Sequence, residues 1–203
     1  MKLYYFADGC SLATHISLRE AGIEPELYAV DPQTRQIDTN GGPFPTVNPK
    51  GYVPALLFED GSMLTENVAL LDWAAQQTDV LKPAEGMERT RLIEMLAFIS
   101  TEIHKQFIVL FFAPGEDGKA FLKERIAGRF AHIAAQLEHD YLLGDSFSTA
   151  DAFLYVMLRW AKMAQLAVPE VFAPYMQRIE ARASVRAALD AEGIEPRALA
   201  DAA

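Results

Sequence analysis

Cysteine is almost missing from this chain of 203 residues, and Cys10 is the only one. An intrachain disulfide is therefore excluded, and the thiol must be structural, reactive or intermolecular. Basic clusters are missing as well. The formal net charge is −10, with 18 Lys and Arg against 28 Asp and Glu, and no Lys/Arg-rich run makes a local exception. Such a surface repels phosphate backbones, so no nucleic-acid partner is expected. No stretch approaches the roughly 20 apolar residues that span a bilayer. The opening MKLYYFADGC lacks the apolar core of a secretory signal. No membrane partner is expected, and the expected location is cytoplasmic. The histidines His15, His104, His132 and His139 show no zinc spacing, so no metal is expected. There is no G-x-S-x-G, P-loop or dinucleotide fingerprint.

What is present divides into two halves. Hydrophobic residues make up 51% of the chain, enough for a sizeable core. Residues 1–77 hold short apolar runs mixed with Gly and Pro, whereas 87–190 hold long helical patterns. Thr78–Gly86, with Pro83 and Gly86, reads as a linker. In the first half, strands are expected at Lys2–Phe6, Glu26–Val30, Ala55–Phe58 and Met63-Leu64, and helices at Ser11–Ala21 and Glu66–Gln77. Residues 31–52 read as irregular. In the second half, Met87–Phe112, Asp117–Leu143 and Ala152–Ala164 are helical, with a further helix ending near Arg182. Ser148 followed three positions later by Asp151 predicts a capping box, with Asp in place of the usual Glu. The C-terminal Ala-Leu-Ala-Asp-Ala-Ala is expected to fray. The fold class that follows is an α/β first domain and an all-α helical bundle.

Chemistry concentrates at a few places. Cys10 follows a strand and a Gly, at the first turn of a helix. Helix N–H groups and the dipole there favour a thiolate, although a small buried hydrophobe fits the position equally well. Val53-Pro54 precedes a strand. A cis bond there would turn the Val53 backbone outwards to pair with an extended peptide, and a trans Pro at a strand start is the alternative. Glu66 and Asn67 open a helix. They suit either a plain dipole contact or a ligand carrying both an ammonium and a carboxylate. His104 and Lys105 lie inside a long helix.

Together these pieces resemble the glutathione transferase superfamily. Asn48–Leu56 and Leu64–Ala69 are similar to its glutathione-binding core, and Ser148–Asp151 resembles its capping motif. Gly9-Cys10-Ser11 with Thr101–Lys105 resembles the bacterial beta class. The resemblance implies a thioredoxin-like glutathione-binding domain over 1–78 and an all-helical substrate and dimer domain over 87–203. It implies conjugation of glutathione, as co-substrate with no further cofactor, to small hydrophobic electrophiles by a detoxifying homodimer. Cys10 is then the residue beside the glutathione sulfur, His104 a hydrogen-bond donor or base, and Ser11 a second hydroxyl candidate. Tyr5, Arg35, Val53, Pro54, Glu66, Asn67, Thr101, Glu102 and Lys105 are the implied glutathione contacts, some from the partner subunit. Phe107, Phe111, Phe112, Trp160 and Met163 are candidates for the electrophile pocket. Arg35 and Asn67 stand where beta-class relatives often carry Lys and Ser. Ala97 stands where they commonly place Asn, which implies altered glutathione affinity. Thiol–disulfide exchange through Cys10, or a non-enzymatic ligand-binding role, are the competing readings.

Overall fold

Leu3, Tyr4 and Tyr5 alternate between two sides of one strand, and that alternation organises the first half. A computed structural model describes residues 1–38, 42–83, 86–113 and 115–197. The expected fraying of 198–203, and parts of the 31–52 segment and the 78–86 linker, lie outside the described residues. Strands β1 (Lys2–Tyr5), β2 (Glu26–Ala29), β3 (Ala55–Leu57) and β4 (Met63–Thr65) form one sheet in the order β2-β1-β3-β4. β1 pairs parallel with β2 and antiparallel with β3, with Leu3 opposite both Leu27 and Leu56. The parallel pair is joined through α1 (Ser11–Glu20), the crossover that such a pair needs.

Leu3 and Tyr5 face Leu18, Leu70 and Ala74, so α1 and α2 (Asn67–Ala75) cover that side of the sheet. Tyr4 faces the opposite side, under Phe44 and Val53. Phe44–Thr46 is a short 3-10 helix within the segment expected to be irregular.

The second half is helical: α3 (Glu88–Phe98), α4 (Lys105–Phe112), α5 (Glu116–Gln136), α6 (Thr149–Met163), α7 (Phe172–Glu180) and α8 (Ala183–Glu192). The apolar α6 lies at the centre and packs on α1, and its residues Thr149–Ala161 are all buried. The capping box forms as the sequence predicts: Asp151 Oδ2 accepts from the Ser148 N–H (2.8 Å) and hydroxyl (2.6 Å).

Two features differ from expectation. α3 and α4 are joined by a π-helical turn, Ile99–His104, which apolar periodicity does not reveal. The continuous stretch Glu88–Phe112 is also long and apolar enough, by length and composition alone, to cross a membrane, contrary to the sequence reading. Its residues Leu92, Leu96, Ile99, Ile103 and Phe107 are buried in the core, while the larger part of the stretch is not buried.

Candidate functional site

The loop between β1 and α1 is held tightly. The Gly9 N–H donates to the Phe6 carbonyl (2.9 Å). A Cβ on Gly9 would lie 2.9 Å from that oxygen, so the turn admits only glycine. The Ser11 hydroxyl is buried and turned back into the loop. It accepts from the Phe6 N–H and donates to the Phe6 carbonyl, both at 3.2 Å. Its hydroxyl is thus engaged in shaping the turn.

Cys10 occupies the N-cap position of α1 and is half-buried. Its thiol donates to the Val53 carbonyl (3.6 Å). The Val53–Pro54 bond is cis. Of the two readings of Cys10, burial carries the greater weight. Burial pushes the Cys10 thiol up to about 12, outweighing the backbone N–H groups of Cys10 and Ser11 and the nearby Lys105 ammonium. At neutral pH this residue is a thiol and a hydrogen-bond donor.

The start of α2 meets the same loop. Asn67 Nδ2 donates to the Cys10 carbonyl (3.2 Å), and its Oδ1 accepts from the Thr14 hydroxyl (2.7 Å). Glu66 has a φ of 71°, and its exposed carboxylate accepts from the Lys50 ammonium (2.8 Å). Lys50 also donates to Thr65 (2.9 Å). Sequence reasoning did not single out Lys50, although it lies inside the quoted Asn48–Leu56 segment. Arg35 lies over the Phe6 ring (5.2 Å) and donates to the Gly51 carbonyl (2.8 Å). Cys10, Val53 and Asn67 are thus brought together directly, with Pro54 and Glu66 next to them in the chain, while Arg35 meets Gly51 and Phe6.

The helical half adds His104 and Lys105, at the end of the π-turn and the start of α4. The His104 ring packs against Trp160 (5.4 Å) and Phe153 (5.6 Å). Burial, helped by Lys105, lowers its pKa to about 4, so the ring is neutral at pH 7. Its Nε2 is buried and has no partner among the described residues.

Other expected contacts are not brought to this cluster. Tyr5 is buried against Leu18 and Leu70. Thr101 donates to the Ala97 carbonyl (3.0 Å), and Glu102 accepts from Arg129 of α5 (2.8 Å). Among the apolar candidates, Phe107 and Trp160 are buried, while Phe111, Phe112 and Met163 are exposed. Among the described residues, no group of three or more His, Cys, Asp or Glu is placed to hold a metal.

Residues 9–77 match the model of the glutathione S-transferase N-terminal domain, and 101–192 match that of the C-terminal domain. A curated relative, glutathione S-transferase GstA of Escherichia coli O157:H7, is 38% identical over 202 residues, covering 96% of this chain and all of the relative. This chain belongs to the glutathione S-transferase family. Among solved structures, the bacterial beta class enzyme of Sphingomonas chungbukensis is 39% identical with a TM-score of 0.84, covering 96% of this chain and 100% of that one. A sphingomonad glutathione S-transferase complexed with glutathione is 37% identical with a TM-score of 0.86, at the same coverage. The family's two-part architecture is the one described above, a mixed four-stranded sheet half followed by helices.

Proposed function

We propose that this chain is a glutathione transferase that conjugates reduced glutathione to small hydrophobic electrophiles. The observation that carries the reading is the convergence on Cys10. The Val53 carbonyl receives its thiol, and the Asn67 amide holds its carbonyl, so a peptide laid along Val53 ends with its sulfur at Cys10.

In this reading the cysteinyl backbone pairs with Val53 beside Pro54. The γ-glutamyl ammonium meets Glu66, already in a cation-binding position towards Lys50. Arg35 supplies positive charge on the same side. The neutral Cys10 thiol and the helix α1 N-terminus stabilise the glutathione thiolate, and each unit of pKa lowering is worth about 1.4 kcal/mol. His104, neutral and with a buried Nε2 that has no partner among the described residues, serves as a donor or acceptor from the helical side in this reading. Phe111, Phe112 and Met163 offer apolar surface to the electrophile. The raised Cys10 pKa disfavours Cys10 itself as the attacking thiolate, and therefore disfavours the thiol–disulfide alternative.

The division at 1–78 and 87–203, a cytoplasmic location, a detoxifying role and a homodimer belong to the same proposal. Thr101 and Glu102 then serve the partner's site. Calorimetric titration with reduced glutathione, beside Glu66→Ala, tests the reading. Saturable binding that is largely lost in Glu66→Ala supports it. No binding up to about a millimolar, a free energy of only about −4 kcal/mol, counts against it.

A further inference from the structure

Asp8 stands two residues before Cys10, with a left-handed φ of 57°. Such a backbone persists in a non-glycine residue only where its surroundings hold it. Here the backbone N–H, the carbonyl and one carboxylate oxygen of Asp8 are hydrogen-bonded by the helical half, and the other oxygen is ion-paired there. Its N–H donates to Glu192 Oε2 (3.2 Å) and its carbonyl accepts from Trp160 Nε1 (2.9 Å). Carboxylate Oδ1 accepts from Arg159 Nε (2.7 Å), and Oδ2 pairs with Arg197 (2.7 Å). Arg159 has no exposed side-chain surface and is itself fixed by the Tyr155 hydroxyl (3.1 Å) and the Glu195 carbonyl (3.0 Å).

We propose that Asp8 is a positioning residue, clamped by Arg159 and Trp160 of α6, through which the helical half sets where the Cys10 loop presents its thiol. Trp160 is the shared part. Its indole nitrogen holds Asp8, while its ring packs on His104 and Phe111, each at 5.4 Å. The sulfur side and the apolar side of the cleft are therefore registered by one side chain, and glutathione's own anchors at Glu66 and Arg35 lie outside the clamp. The catalytic consequence rests on the transferase reading; the positioning of Cys10 does not.

Cys10 is the only cysteine, so alkylation by iodoacetamide reports this loop alone. The full chain is compared with Asp8→Asn/Arg159→Met and with Trp160→Phe. The double variant removes the Asp8 and Arg159 charges together, because an unpaired buried Arg159 would destabilise the fold by itself, and it leaves Arg197, which reaches solvent, as the remaining charge. Each is assayed well below its thermal midpoint for alkylation rate, and for turnover of glutathione with chlorodinitrobenzene. In the double variant, alkylation should quicken about ten-fold as the loop opens. There, kcat should fall about ten-fold while KM for glutathione moves less than about three-fold, as expected for lost alignment with the anchors kept. Trp160→Phe, which keeps a six-membered ring while removing the donor and part of the ring surface against His104 and Phe111, should move both rates in the same direction by less. A lower thermal midpoint with alkylation rate and kcat unchanged would overturn the proposal. Should the double variant not fold, Trp160→Phe decides alone. Should the parent not turn over, the transferase reading fails and the alkylation arm still decides.

Discussion

Cys10 shows how burial can reverse a local argument. Its N-cap position predicts a stabilised thiolate, but the surrounding protein holds it neutral. With the thiol pushed up to about 12, alkylation at pH 8 should be roughly a hundred-fold or more slower in the native protein than in urea, where the thiol returns to its ordinary range. Stopped alkylation with mass detection measures both rates, and comparable rates would contradict the enclosed thiol. His104 makes a separate prediction. Its folded pKa, about 4, lies below the ordinary 6.5, so the unfolded chain binds more protons between those values. Stability should therefore fall as pH drops from about 6.5 to about 4, by roughly 3 kcal/mol at most from this group. Urea midpoints across that range should show a flatter slope for His104→Gln. An equal slope would mean that other groups carry the acid sensitivity.

At the scale of single elements, α6 is the piece on which the rest depends. Its Asp151 is buried, with Oδ1 accepting from the Leu142 N–H (2.9 Å) and the Tyr175 hydroxyl (2.7 Å) in addition to the capping box. Burial pushes this carboxyl's pKa up against all of those donors. Ser148→Ala removes one hydroxyl and should cost about 1 kcal/mol. Asp151→Ala strands several buried donors and should cost about 3 kcal/mol or more. Chemical denaturation distinguishes the two, and equal losses would show that the bonds to Leu142 and Tyr175 contribute little. The π-turn Ile99–His104 is the other decisive element, for it sits where functional π-bulges are commonly found and ends on His104.

At the scale of the whole molecule, the proposed homodimer bears on the apolar residues left exposed along the Glu88–Phe112 stretch. Ile93 and Val109 are exposed there, while Leu92 and Leu96 face the core. A second copy covering that face accounts for a helix that passes for a membrane segment by composition. Sedimentation should then give twice the 22.5 kDa chain mass. A monomer at micromolar concentration would remove the partner-subunit role assigned to Thr101 and Glu102.

The sequence by itself determined what depends on neighbours along the chain. Alternation in Leu3, Tyr4 and Tyr5 marks a two-sided strand, Ser148 and Asp151 mark a helix start at fixed spacing, and the apolar run after them marks the central helix. The Val53-Pro54 and Glu66-Asn67 pairs were legible as chemistry because turns and helix starts leave backbone groups unpaired. One signal was present in the chain: Arg159 interrupts the apolar run of the central, buried helix, and a buried Arg requires a partner. That partner, Asp8, lies 151 residues away, beyond any periodicity. Only the tertiary structure decided that Ser11 turns inward, that Tyr5 is core and that Cys10 stays protonated. Each of these depends on what packs against the residue from elsewhere, and solvation is set by that surrounding shell, not by the order of the chain.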